Sequence, residues 1–306
     1  MSLLECKNLS KRFGQFEALK PTNLRLEKGS PIALIGPNGA GKTTFFSLLC
    51  NYIQPSSGDV HILGERIDSP NIQGRLGSLP QDAQLDRELS IVQQLSFLAR
   101  LQGFGKAAAR QEAERVLSLV DLNDSLNKKP QALSHGMNKR VLFAQALIGN
   151  PELVLLDEPT AGVDPNNARM IRNIIEQQSQ HQTFIISSHN IAELEKLCQR
   201  VLYIEQGVLR EHHSQEHSSG NVAVIELELR NEQAQHLQDS LHTLTAFQSA
   251  SSRTPRQLSI RYDAQEKKFD QQLLALLSQQ GIEYQQLTKG LSLEEQLFAQ
   301  KPDKAE

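Results

Sequence analysis

Short apolar runs alternate along most of this chain with longer stretches whose apolar residues recur every three or four positions. Leu153–Leu156 and Ile32–Ile35 are entirely apolar, as expected of strands buried on both faces. Leu3–Leu9, Ala18–Leu26, Gly58–Leu63, the stretch ending in Gly77–Gln81, and Thr183–Ser187 also read as strands. Ile91–Leu101 and Ala107–Val120 carry helical spacing. Ser134 can cap a helix running to about Ile148, because Pro151 lies just beyond. Further helices are predicted near Asn166–Gln178 and Ile191–Cys198, and Val201–Ile204 with Val208–Leu209 reads as a hairpin. Buried strands alternating with helices predict an α/β domain with a largely parallel sheet. A helical insertion is expected over roughly Asp82–Gln131.

The pattern changes at Glu211–Gly220, which lacks any periodicity and reads as a linker. Its His212, His213 and His217 come with no carboxylate or thiol pattern and read as solvated residues. Beyond it, Ile225, Leu227 and Leu229 alternate with Glu226 and Glu228, a half-exposed strand. A helix around Ala234–Leu241, a weak strand near Leu244–Phe247 and a strand through Leu258, Ile260 and Tyr262 follow. Phe269–Leu277 reads as a helix and Ile282–Leu287 as a strand. A last helix, Ser292–Gln300, opens on a Ser292/Glu295 capping box. The order β-α-β-β-α-β predicts a small α+β accessory domain of ferredoxin-like type. The expected division is therefore residues 1–210, a linker at 211–220, and an accessory domain at 221–306 that carries no catalytic pattern.

Composition narrows the picture little. Among 306 residues, 39% are hydrophobic and 22% charged, ordinary for a globular protein. A formal net charge of -3 offers no electrostatic case for a nucleic-acid partner. Cys6, Cys50 and Cys198 have neither disulfide-framework nor zinc spacing, which fits a reducing compartment. Glu5, Lys7, Lys11 and Arg12 interrupt the start, so no secretory leader is expected, and no apolar run approaches the roughly 20 residues that span a bilayer.

The chemistry begins after Ile32–Ile35. Gly36-Pro37-Asn38-Gly39-Ala40-Gly41-Lys42-Thr43-Thr44 fills every position of GxxxxGKT between a strand and a helix, the P-loop pattern. Its glycines let backbone N–H groups turn inward on phosphate oxygens, and the helix N-terminus adds partial positive charge. Lys42 is expected to reach the β- and γ-phosphates, and the Thr43 hydroxyl to ligate Mg²⁺. The strand Leu153–Leu156 delivers Asp157 and Glu158 at its C-terminal end, where ligands of α/β sheets bind. Asp157 suits the Mg²⁺ environment, and Glu158 is placed to polarise an attacking water. Ser134 and the N–H groups after it form a second anion site, which a second copy of the chain would use. His189 follows the strand Thr183–Ser187, where an imidazole could contact the γ-phosphate.

In this order, the motifs resemble the ATPase subunit of ATP-binding cassette (ABC) transporters from about Leu3 to Arg210. The match comprises the Walker A loop Gly36–Thr44, the Q-loop Gln81, the signature Leu133–Met137, the Walker B strand Leu153–Asp157 with Glu158, the D-loop Ala161–Asp164, and His189. The resemblance implies that Phe13 stacks on adenine, with Phe16 as a second candidate. It implies that Gln81 binds Mg²⁺ or the attacking water and senses a membrane partner. Ser134 and Gly136 would clamp ATP held by the other subunit, and Asp164 would communicate across the dimer. His135 and Met137 depart from the usual Gly and Gln, and S-x-G-M signatures resemble the drug-exporter branch. Leu291–Glu295 resembles the "SLEE" endings of that branch.

The expectation is an ATP-hydrolysing subunit that dimerises head to tail at the cytoplasmic face of the membrane and drives a separately encoded multi-helix permease, as an exporter. The rival is a permease-free ABC ATPase of the translation or DNA-repair type. A single cassette argues against the first kind. The roughly ninety residues between Walker A and the signature cannot hold the long coiled coil of the second.

Overall fold

The computed structural model describes residues 2–188, 194, 197–198, 200–213 and 222–289. Two compact units, Met1–His213 and Ser214–Glu306, each carry a core of their own.

Two sheets build the first unit. In the smaller, β1 (Ser2–Phe13) and β2 (Phe16–Glu27) form an antiparallel hairpin. The strands β4 (Ser57–Ile62) and β5 (Glu65–Arg66) extend it in the order β2-β1-β4-β5. Both hairpin strands run further toward the turn than their apolar positions predict, because ladder hydrogen bonds continue through the polar residues of an exposed ribbon. This antiparallel sheet is an addition to the parallel one that the apolar runs predict.

The larger sheet contains β3 (Ile32–Ile35), β6 (Leu76–Leu79), β7 (Leu153–Asp157), β8 (Thr183–Ser187), β9 (Arg200–Glu205) and β10 (Val208–His213). Its order is β10-β9-β3-β8-β7-β6, parallel except for the edge strand β10. Every residue of β3, β7 and β8 is buried, which is why these strands show no polar alternation. The helix α1 (Lys42–Leu49) sinks Phe45, Phe46, Leu48 and Leu49 into the same core as Leu34, Leu155, Ile185 and Leu202. β3 and β7 both pair with β8, so Leu34 and Asp157 each lie opposite Ser187. The ends of three neighbouring strands thereby converge on one place.

The insertion consists of α2 (Ile91–Leu101) and α3 (Lys106–Leu119), followed by α4 (His135–Gln145). α2 starts at a capping box in which Ser90 and Gln93 satisfy each other's backbone N–H groups. Arg140 on α4 donates to the Val120 carbonyl at 2.7 Å and Arg115 on α3 to the Leu147 carbonyl at 3.1 Å, tying the helices end to end. α5 (Pro165–Gln178) starts with proline, whose missing N–H costs nothing there. The helix expected at Ile191–Cys198 lies largely outside the described residues, as does the one at Ser292–Gln300. Among the described residues no helix is long and apolar enough to cross a membrane.

At Gly77, in β6, an added Cβ would stand 2.0 Å from the Ala146 carbonyl oxygen and 2.9 Å from Pro151 Cγ. Backbone cannot yield as a side-chain tip can. Gly77→Ala is expected to destabilise this unit by about 1–3 kcal/mol. Urea unfolding checks this, with a lower midpoint at an unchanged slope.

One boundary differs from the reading of the sequence. Glu211, His212 and His213 do not open a linker but pair with Leu202, Val201 and Arg200 as the end of β10. An edge strand tolerates polar residues, and the Arg200 guanidinium binds the Glu211 carboxylate across the ribbon. His217 lies outside the described residues.

The second unit runs β11 (Val222–Leu229), α6 (Ala234–Ser240), β12 (Phe247–Thr254), β13 (Gln257–Asp263), α7 (Phe269–Gln280) and β14 (Tyr284–Lys289). Its antiparallel sheet has the order β12-β13-β11-β14, the split βαβ arrangement of ferredoxin-like folds. Ile225, Leu227 and Leu229 pack with Leu237, Leu273 and Leu277 from the helices. Tyr262 stacks on Phe269 at 4.1 Å between ring centroids. The weak strand expected at Leu244–Phe247 begins only at Phe247. Its serine-rich sequence offers no apolar alternation, and pairing with β13 alone defines it.

Candidate functional site

The glycine-rich loop joins β3 to α1 and is fixed from below by close backbone approach. A Cβ on Gly36 would lie 2.1 Å from the Ile204 carbonyl oxygen of β9. Gly41, with φ of 112°, has the Ala18 carbonyl oxygen 2.5 Å from where a Cβ would be. The turn between β9 and β10 grips the loop as well, since Gly207 N–H donates to the Ala40 carbonyl at 3.2 Å. Lys42 is 8% exposed, and its ammonium donates to the Gly36 and Pro37 carbonyls at 2.7 and 3.1 Å. This places a buried positive charge directly under the loop.

Above the loop is a cleft of about 490 Å³. The glycine-loop residues Asn38, Gly39, Gly41, Lys42, Thr43 and Thr44 line it together with Gln81, Asp157, Glu158, Phe16 and Ala18. Asp157 ends β7 nearly fully buried, and the Ser187 hydroxyl donates to its Oδ1 at 2.5 Å. Glu158 follows in the left-handed region, φ of 54°, unusual for a residue other than glycine. Its N–H is held by the Ser187 hydroxyl at 3.0 Å and approaches the Ser187 carbonyl at 3.3 Å.

A second cluster lies apart from the cleft's lining. Ser134 caps α4, its hydroxyl accepting the Met137 N–H at 3.2 Å. Asp164 caps α5 by accepting from the N–H groups of Asn166 and Asn167, both at 3.1 Å. The Asn167 side-chain amide, then its backbone N–H, hold the Asp164 carboxyl below the usual carboxylate range. Gly136 is buried against this amide, since a Cβ there would meet Asn167 Nδ2 at 2.4 Å. His135 Nε2 lies 3.7 Å from where a Cβ of Gly162 would stand. The segments 133–137 and 161–167 are thus packed directly on one another.

The structure brings together the glycine-loop residues, Gln81, Asp157 and Glu158, and sets Ser134, Gly136 and Asp164 in a separate group. His189 lies outside the described residues. Of the two aromatic candidates, Phe16 lines the cleft and Phe13 does not. Phe13 instead lies beneath the Lys11 ammonium, 5.0 Å from its ring centroid. Sequence reasoning missed Ser187 and Asn167. Neither carries a motif, and only strand register and loop packing bring them to the site. Thiol chemistry is remote here, because burial pushes Cys50 up to about 11 and Cys6 and Cys198 up to about 12.

Residues 19–161 match the family model described as ABC transporter. The linearmycin resistance ATP-binding protein of Bacillus subtilis is 32% identical over 208 residues, which cover 67% of each chain. The chain belongs to the ABC transporter ATP-binding family. A Nod factor export ATP-binding protein of Cupriavidus pinatubonensis is 31% identical over 209 residues, covering 67% of this chain and 64% of its own length. Among solved structures, a dimeric ATP-binding cassette in a post-hydrolysis state, bound to ADP and Pi, superposes with a TM-score of 0.63 at 25% identity. That match covers 69% of this chain and 99% of the other. As a member of that family the chain binds ATP, and its reaction is ATP hydrolysis. The fold is that of the P-loop ABC cassette with a helical insertion, followed by the small α+β unit.

Proposed function

We propose that this chain drives an exporter, closing head to tail with a second copy around ATP and transmitting that closure to a separate multi-helix permease at the cytoplasmic face of the membrane. One observation carries the dimer: Ser134 and Gly136 do not line the cleft that holds Lys42, Asp157 and Glu158. Their helix N-terminus suits an anion, and a second copy can present it to the phosphates from the open side. Asp164, capping the adjacent helix, travels with it. The relatives named for linearmycin resistance and Nod factor export support the exporter branch.

Within one cleft, the loop N–H groups and the Lys42 ammonium bind and neutralise the phosphates. Glu158 accepts a hydrogen bond from the attacking water and orients it. Thr43, Gln81 and Asp157 offer only oxygen donors, the set that suits Mg²⁺, and would hold that ion. When bound, Mg²⁺ supplies charge neutralisation on the phosphate oxygens. Gln81, in the turn just beyond β6 and in the cleft lining, would report its state to the permease.

Phe16 is the better adenine platform. Phe16→Ala is expected to weaken ATP binding by about 1–3 kcal/mol, which is about 5- to 150-fold in Kd. Phe13→Ala should leave affinity near that of the wild type. Titration with a fluorescent ATP analogue compares the two, and the reverse ranking would return the role to Phe13. For the transporter reading, the test is purification of the full chain from detergent-solubilised membranes. A multi-helix membrane protein is expected with it, whereas a ribosomal or soluble partner alone would move the chain to the permease-free class.

A further inference from the structure

We infer that Ser187 is a positioning residue that sets the geometry of both cleft carboxylates at once, an assignment that rests on the roles given above to Asp157 and Glu158. Ser187 is the last residue of β8 and is fully buried. A serine hydroxyl has one proton and two lone pairs, and here the division of labour is defined. The proton goes to Asp157 Oδ1 at 2.5 Å, and a lone pair receives the Glu158 N–H at 3.0 Å. The Asp157 carboxylate is thereby held through one of its two oxygens.

The second bond acts on backbone. Glu158 occupies the left-handed region and precedes Pro159, which restricts it further. Such conformations persist only where surrounding contacts over-determine them. The Ser187 carbonyl, 3.3 Å from the same N–H, and the Ala161 N–H donating to the Glu158 carbonyl at 3.1 Å also hold it. An alanine at 187 keeps the carbonyl and removes the hydroxyl. It would free the Asp157 carboxylate to rotate and weaken the hold on the Glu158 turn, while the glycine loop and Lys42 stay untouched.

The full chain carrying Ser187→Ala is compared with wild type and with Ser187→Thr, which keeps a hydroxyl. ATP affinity is measured with a fluorescent analogue in EDTA and in Mg²⁺, and turnover and thermal melting are followed in parallel. The metal-free affinity should be unchanged, whereas the gain in affinity on adding Mg²⁺, and kcat, should each fall about tenfold, the low end for losing an outer partner of a metal-binding group. Ser187→Thr should restore both. Unchanged Mg²⁺ dependence and kcat in Ser187→Ala overturn the assignment. So does a fall in metal-free affinity and melting temperature that Thr fails to restore, which marks a packing role. The wild type separates the two levels of the argument. If it shows no turnover, the cleft reading itself falls. If it turns over and Ser187→Ala matches it, only the Ser187 assignment falls.

Discussion

Glu158→Gln is expected to lower ATP turnover about 10²- to 10³-fold, the usual cost of removing one preorganised group at the reacting centre. The glutamine amide keeps the volume of the carboxylate but cannot accept the water's proton, so binding survives while chemistry stops. The Glu158 turn is set through its backbone N–H by Ser187, which the substitution leaves in place. ATP-loaded protein should therefore collect as a dimer, eluting at twice the monomer mass on size exclusion with ATP and at monomer mass without it. A variant that stays monomeric with ATP, or hydrolyses at the wild-type rate, removes Glu158 from its role.

Lys42→Ala is expected to abolish productive ATP binding, with kcat/KM down about 10²- to 10³-fold. The loss comes from two sides. The phosphates lose a compact cation, and the Gly36 and Pro37 carbonyls lose the ammonium that now binds them. Lys42→Arg should rescue little, because the side chain is buried and a planar fork does not fit where a point charge sits. Folding should persist, since α1 is anchored by Phe45, Phe46, Leu48 and Leu49. Calorimetric titration with ATP gives the affinity, and near-wild-type melting shows that the scaffold is intact. Tight ATP binding by Lys42→Ala would contradict the placement of the phosphates over this loop.

Much of the cassette was legible in advance because its signals are local. Gly36, Gly39 and Gly41 announce a loop whose backbone must turn or approach other strands closely, and each does one or both. The apolar run before Asp157 is a doubly buried strand, as expected in an α/β domain. Ile91–Leu101 carries the periodicity of the helix that forms there, residue for residue. The β-α-β-β-α-β order of the second unit followed in the same way from alternation in Ile225–Leu229 and the spacing of Phe269, Leu273 and Leu277.

What escaped the sequence depends on contacts between residues distant in the chain. Ser187 meets Asp157 across 30 positions because β7 and β8 pair in one register, and a shift by one residue would turn that hydroxyl to the other face. Phe16, rather than Phe13, lines the cleft because of how the β1–β2 ribbon is placed against the loop, which no local pattern encodes. Glu211–His213 look like linker in isolation and become strand because β9 offers a partner. Residue type and periodicity determined which elements form and which side chains are candidates for phosphate chemistry, since turn propensity and burial act over a few residues. Tertiary structure alone decided which of those side chains share a cleft and what holds them, because register and packing are settled only when the strands meet.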